Sequence, residues 1–375
     1  MNIRSNSYLL VDTSILRRNI SRVLSELPGG VSMIPVLKDD AYGLGLERMA
    51  GVLSEFAQVT CIACAHVSEG IRLRDSGYRG DILILGNPVP CFIPDAVSRS
   101  LTVTLAERSA LRNVLSAAAA AGAGSVKVQV EIDSGLHRTG FAPGAELGEF
   151  LSELGAASSG DVRIELTGVY SHFSNPGDPA VCGAEYNAIS AGLSQIRGSG
   201  YDIPSVHVLS SAGLENTPQY HFDAVRIGRR LYMDAPGVYG GEIAEIASWR
   251  TYITGIYERK KGDSLGYGGK YTFAGDAMTA LIGVGYGDGL NEELVAVNAP
   301  VLVKGRRCPL LACFMYQAII DISGIDCSVG DEVTLFGYDS GGTLLPSQEI
   351  ALMIGDNEGC GLISALSPRV ERVYI

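Results

Sequence analysis

Short apolar runs alternate with stretches of helical periodicity along the first two-thirds of the chain. The apolar runs read as buried strands. They are "MIPVLK" (33–38), "VTCIACAHV" (59–67), "DILILG" (81–86), "LTVTL" (101–105), "VKVQVEID" (126–133), "IELTGVYSH" (164–172), "SVHVLS" (205–210) and "AVRIG" (224–228). Between them, "SILRRNISRVLSEL" (14–27), "GLERMAGVLSEFA" (45–57), "AERSALRNVLSAAAAAG" (106–122) and "EYNAISAGLSQIRGSGY" (185–201) follow the helical period. Ser14, after Asp12 and Thr13, is placed to cap the first helix. Strands alternating with helices predict a parallel sheet. Eight such units in about 230 residues match a (β/α)8 barrel. An open doubly wound sheet is the alternative, although no G-x-G-x-x-G follows the first strand, which weakens a dinucleotide site.

After "YMDAPGVYGG" (232–241) the texture changes. Short β-like runs such as "TYITGIYERKK", "APVLVKG" and "DEVTLFG" are separated by Gly, Pro and Asp. This predicts an all-β domain over 236–375, after a barrel domain over 1–235.

Composition narrows the class. The 375 residues are 46% hydrophobic and 19% charged, with a formal net charge of -12. That is a globular composition with a large core. Nucleic acid and anionic membranes require a basic face, so neither is an expected partner. Without an apolar run of about 18 residues or a cleavable leader pattern, the expected location is the cytoplasm. The eight cysteines read as reduced and mostly buried, and Cys61 and Cys64 as core residues rather than metal ligands.

In a barrel the functional groups gather where the strands end at their C-termini. Lys38 and Tyr42 follow the first strand, Asp133, His137 and Arg138 the fifth, and Ser171 and His172 the sixth. Ser210 and Ser211 follow the seventh, and Arg226 and Gly228 the eighth. Hydroxyls and glycine N–H groups suit a phosphate, and arginines suit a carboxylate. A lysine desolvated at the end of an apolar strand can serve as an amine nucleophile.

The stretch "VLKDDAYGLG" (36–45) resembles the cofactor-lysine motif V-V-K-A-N-A-Y-G-H-G of the alanine racemase family, fold type III pyridoxal-phosphate enzymes. Further stretches resemble that family in order along the chain: "EIDSGLHRTGF" (131–141), "GVYSHFSNP" (168–176), "HVLSSAG" (207–213), "VRIGRRLYM" (225–233), "LGYGGKYTF" (265–273), "IGVGYGDG" (282–289) and "CFMYQAIIDIS" (313–323). The resemblance implies a pyridoxal 5'-phosphate-dependent amino-acid racemase working as a homodimer with a shared active site. Alanine is the implied substrate, with serine or a larger amino acid as alternatives. Lys38 would hold the cofactor and act as one base, and Tyr267 of the other subunit would be the second. Tyr42, Ser211 and the Gly228 backbone would hold the phosphate. Arg226 would face the pyridine nitrogen, with His172 linking it to the tyrosine base. Arg138 and the Met315 N–H would meet the substrate carboxylate, and Tyr286 would line the approach.

Several positions depart from the family pattern. Glu131 replaces a lysine that is carbamylated in many members, and is expected to brace Arg138. Ala365 falls where a gate tyrosine is usual, Tyr316 replaces an aspartate, and Arg229 stands where a small or aliphatic residue is usual. Asp39 and Asp40 replace neutral residues. A decarboxylase of the same fold type and a non-catalytic cofactor-binding barrel are the competing readings. The second lacks a β domain and its tyrosine.

Overall fold

The computed structural model describes residues 5–158, 160–233, 243–357 and 359–375. The first strand, β1 (Ser7–Val11), stands outside the sheet that follows it. That sheet comprises β2 (Ser32–Pro35), β3 (Cys61–Cys64), β4 (Asp81–Ile84), β5 (Thr102–Leu105), β6 (Ser125–Glu131), β7 (Arg163–Tyr170), β8 (Val206–His207) and β9 (Ala224–Ile227). The strands pair in parallel in the order β2-β9-β8-β7-β6-β5-β4-β3. The two ends meet where Val36 bridges Ala63 and the Leu37 N–H donates to the Ala63 carbonyl at 2.8 Å. The sheet is thus a closed eight-stranded barrel, as the strand–helix alternation implied.

A helix or helices connect each successive pair of barrel strands. The last long one begins earlier than its apolar period suggested. It spans Pro179–Gly198 because Asp178 caps it, accepting from the Ala180 and Val181 N–H groups at 2.9 and 3.2 Å. The first helix, Thr13–Glu26, is capped by Asp12 rather than Ser14. Asp12 Oδ1 accepts from the Ser14 and Ile15 N–H groups at 2.8 and 3.1 Å.

The barrel strands read as continuous apolar runs because both faces are covered. All four residues of β5 and of β9 are buried. Ile34, Val36, Ala63, Leu83 and Ala224 form one apolar cluster between strands. Each large aliphatic side chain there contributes about 1.5–3 kcal/mol. Toward the C-terminal ends the buried residues turn polar: Thr104, Gln129, Glu131, His207 and Arg226.

A second unit carries β10 (Ala247–Arg259), β11 (Ser264–Leu265), β12 (Tyr271–Thr272), β13 (Ala277–Ile282), β14 (Pro300–Val303), β15 (Arg306–Cys313), β16 (Ala318–Asp321), β17 (Glu332–Tyr338), β18 (Leu344–Leu345) and β19 (Glu371–Tyr374). Its strands pair antiparallel, except that β1 runs parallel to β19. β1 also pairs antiparallel with β10, from Ser7–Thr251 to Val11–Ala247. Within the span expected as the barrel domain, 1–235, the N-terminal segment stands apart. Residues 5–20 group with the second unit, because the backbone of β1 finds its hydrogen-bond partners there. The junction at 235/236 lies outside the described residues. Among those residues, no helix is long and apolar enough to cross a membrane.

Candidate active site

Lys38 opens a turn of the wrong hand. Asp39, Asp40, Ala41 and Tyr42 have φ of 55, 57, 55 and 58°. For L-residues this conformation costs about 1–2 kcal/mol each, less for Asp. The surroundings over-determine it. The Asp40 N–H donates to Glu69 Oε1 at 3.2 Å, and Asp40 Oδ1 accepts from the Leu46 N–H at 3.2 Å. Arg72 donates to Asp40 at 2.6 Å and grips Glu47 at 2.7 and 2.8 Å. Glu69 is itself fixed by the Ala65 and His66 N–H groups. A strained backbone held by so many contacts is the mark of a functional loop. Lys38 and Asp39 are exposed at its start.

Strand register gathers the buried polar groups into one layer. Glu131 of β6 pairs with Tyr170 of β7, and Tyr170 with His207 of β8. Arg226 lies on β9, two residues past Ala224, the partner of His207. The Tyr170 and His207 rings stack at 5.2 Å, and the Arg226 guanidinium lies 5.2 Å from the Tyr170 ring centre. Such a cation–π contact offsets part of the cost of burying a charge.

Arg226 is held by five acceptors. Nη1 donates to His207 Nδ1 and to the His207 carbonyl at 2.7 and 2.8 Å. Nη2 donates to the Ser171 and Val208 carbonyls and to His172 Nδ1, at 2.7, 3.0 and 2.9 Å. These contacts leave Nε without a protein partner among the described residues. Burial lowers the Arg226 pKa to about 10, so the group stays charged at neutral pH. Both imidazoles are kept neutral. Burial, reinforced by Arg226, Arg138 and Lys38, pushes His172 down to about 3. Burial and Arg226 push His207 well below its ordinary value. Since each Nδ1 accepts from arginine, each proton sits on Nε2. His207 gives its proton to Gln129 Oε1 at 2.8 Å.

Around this layer the rim is polar. The Gly228 N–H donates to Ser211 Oγ at 3.3 Å, between the ends of β9 and β8. Arg138 stands exposed on the loop after β6. Asp133 shapes that loop, accepting from the Gly135 and His137 N–H groups and facing the His137 ring at 3.0 Å. The expected Glu131–Arg138 brace is not formed. Glu131 is buried and Arg138 is not, and Glu131 Oε2 instead accepts from the Thr139 hydroxyl at 2.8 Å and the Tyr170 hydroxyl at 3.3 Å. Arg138 acts on Glu131 only through its charge. Burial nonetheless pushes the Glu131 carboxyl up.

In the second unit, Tyr267 is 86% exposed and meets the Phe314 ring edge-on at 5.6 Å. Met315, Tyr316 and Tyr286 are also exposed. The Tyr286 and Gly287 N–H groups donate to the Phe314 and Met315 carbonyls at 2.9 and 2.8 Å. A side chain at Gly285 would come within 2.1 Å of the Phe314 carbonyl, so only glycine permits this approach. Ala365 lines a cavity of about 330 Å³ with Gly289, Trp249 and Asp356. Tyr42 packs on Tyr232 at 5.5 Å.

Sequence reasoning assigned no role to Tyr170, His207, Gln129 or Thr139. The available signal was polar residues two apart at the ends of otherwise apolar strands, where the period of two turns both inward.

Comparison with known proteins decides the family. Residues 11–236 match the family model described as alanine racemase, N-terminal domain, and residues 246–374 the one described as alanine racemase, C-terminal domain. The chain belongs to the alanine racemase family. An alanine racemase of Geobacter sulfurreducens is 31% identical, over 97% of this chain and 96% of that protein. Among solved structures, alanine racemase of Clostridium difficile superimposes with a TM-score of 0.91 at 28% identity, covering 100% of this chain and 97% of that one. Alanine racemase from Bacillus anthracis with bound L-Ala-P gives 0.91 at 27% identity, covering 100% and 96%.

Proposed function

We propose that this alanine racemase family member interconverts L- and D-alanine with pyridoxal 5'-phosphate bound at the C-terminal rim of its barrel. The observation that carries the reading is the buried Arg226–His172 pair, with its unpartnered Nε. A pyridine nitrogen is a neutral acceptor and suits an N–H donor that protein groups leave free. Ser211 and the Gly228 N–H supply a hydroxyl and a backbone donor for a phosphate, and Tyr42 adds its hydroxyl by family resemblance. The donor set therefore fits the cofactor. When bound, the cofactor supplies an electron-withdrawing ring that acidifies the substrate Cα–H.

The chain's own residues do the rest. Lys38 anchors the cofactor through its amine and exchanges a proton with one face of Cα. Tyr267 of a second copy serves the opposite face, and its high exposure in one chain fits cover by that copy. His172 carries its proton on Nε2 and, by family resemblance, donates it toward Tyr267. Arg226 keeps its proton and would offer it as a hydrogen bond to a pyridine nitrogen, without transferring it. Arg138 and the Met315 N–H hold the substrate carboxylate, and Tyr286 lines the approach. Glu131 supports the site from within the barrel. The homodimer, the cytoplasmic setting and these assignments are part of this reading.

The deciding experiment incubates cofactor-loaded protein with L-alanine, L-serine and larger L-amino acids, with chiral product analysis and CO₂ trapping. D-alanine without CO₂ is the expected outcome. CO₂ release, or no D-enantiomer from any substrate, overturns the reading. Serine is the second substrate to examine, because Ala365 stands where the family carries a gate tyrosine.

A further inference from the structure

We propose that Glu131 is a positioning residue that ties the loop bearing Arg138 to the buried Arg226 cluster, through Thr139 on one side and Tyr170 on the other. The proposal rests on the racemase reading. It differs from a brace on Arg138, because the structure gives Glu131 other partners.

The loop after β6 closes on its own base. The Phe141 N–H donates to the Glu131 carbonyl at 2.9 Å, and Ile132 bridges Phe141. Glu131 Oε2 then accepts from the Thr139 hydroxyl at 2.8 Å, one residue past Arg138. The loop is therefore pinned at its base by backbone and beside Arg138 by a carboxylate.

The same Oε2 lies 3.3 Å from the Tyr170 hydroxyl. That hydroxyl also reaches the Leu85 carbonyl at 2.9 Å and Thr104 Oγ1 at 3.1 Å. Thr104 spends its own proton on the Ile84 carbonyl at 2.6 Å. Tyr170 has one proton for these neighbours, so its orientation depends on which of them carry charge. Its ring is the surface on which Arg226 and His207 rest. Glu131 is also the carboxylate whose negative charge favours the Arg226 cation. One buried oxygen thus touches the substrate-side loop and the support of the cofactor-side arginine. Tight interiors transmit such displacements rather than absorb them.

Three variants separate the two arms: Thr139→Val, Tyr170→Phe and Glu131→Gln. Each is characterised by KM for L-alanine, kcat, the Kd for pyridoxal phosphate and the absorption spectrum of the loaded protein. Thr139→Val is expected to raise KM about 3- to 10-fold, with cofactor Kd and spectrum unchanged. Tyr170→Phe is expected to weaken cofactor binding or shift its absorption band, with KM within about twofold. Glu131→Gln keeps shape and loses charge, and is expected to show both effects.

A Glu131→Gln protein that matches wild type in all four readouts overturns the proposal. So does an identical profile for Thr139→Val and Tyr170→Phe, which would mean general loosening. Should Glu131→Gln not fold, the split between the other two decides alone. Wild-type protein that binds cofactor but racemises nothing counts against the racemase reading instead. In that case the L-alanine-induced spectral change replaces KM and the two arms are compared on the same terms.

Discussion

His172 Nδ1 sits 2.9 Å from Arg226 Nη2, and that contact fixes the imidazole as a neutral ring with its proton on Nε2. The pH dependence of stability follows. His172 is held near 3 against an ordinary value of 6.5, and His207 is also lowered, so between those pH values the unfolded chain binds more protons than the folded one. Stability therefore rises with pH there. It is fully present above about 6.5 and is lost as pH falls toward 3. Each histidine contributes a slope of at most about 1.4 kcal/mol per pH unit. Glu131, raised by burial, works in the opposite direction in its own window. Urea unfolding of the apoprotein at pH 7 and pH 5 measures the effect. His172→Leu should flatten the slope.

Tyr267 separates catalysis from stability. At 86% exposure it buries little in a single chain. Tyr267→Phe should lower kcat by about 10²–10⁴ while the melting temperature of the dilute apoprotein stays within about 1 °C. Parallel loss of activity and stability would mean a packing role.

The left-handed turn has one strong fastening and one weak position. Asp40 accepts a backbone N–H and an arginine, whereas Asp39 is exposed. Asp40→Ala should cost about 1–2 kcal/mol and Asp39→Ala about 0.5 kcal/mol by chemical denaturation. Equal costs would place the strain elsewhere.

Glu131 is a carboxylate by its own chemistry. Activity should be the same in CO₂-depleted buffer and with added bicarbonate. A several-fold gain on adding bicarbonate would show that another group supplies the charge.

The barrel was legible in the sequence because its strands are buried on both faces and their apolar runs stand out between helices. The β domain was legible from its short runs and turn residues. Four things were not. β1 falls inside the span expected for the barrel domain, since a five-residue strand carries no mark of its distant partners β10 and β19. Positive φ at Asp39, Asp40, Ala41 and Tyr42 needs the grip of Glu69 and Arg72, both remote in sequence. The partners of Glu131 are set by strand register and by the return of the loop to Phe141, and a motif match supplies neither. The layer of Gln129, Tyr170 and His207 has no signature in the sequence, because its members meet only when the barrel closes.

In the proposed racemase, Lys38 and Tyr267 serve opposite faces of one Cα. Deuterium incorporation at the α-carbon of D- and of L-alanine, followed in D₂O with Lys38→Ala and Tyr267→Phe proteins, tests it most directly. Wild type should exchange both enantiomers. Tyr267→Phe should retain exchange from one enantiomer only, and Lys38→Ala should lose both exchange and the cofactor absorption band. Undiminished exchange of both enantiomers by Tyr267→Phe would contradict it.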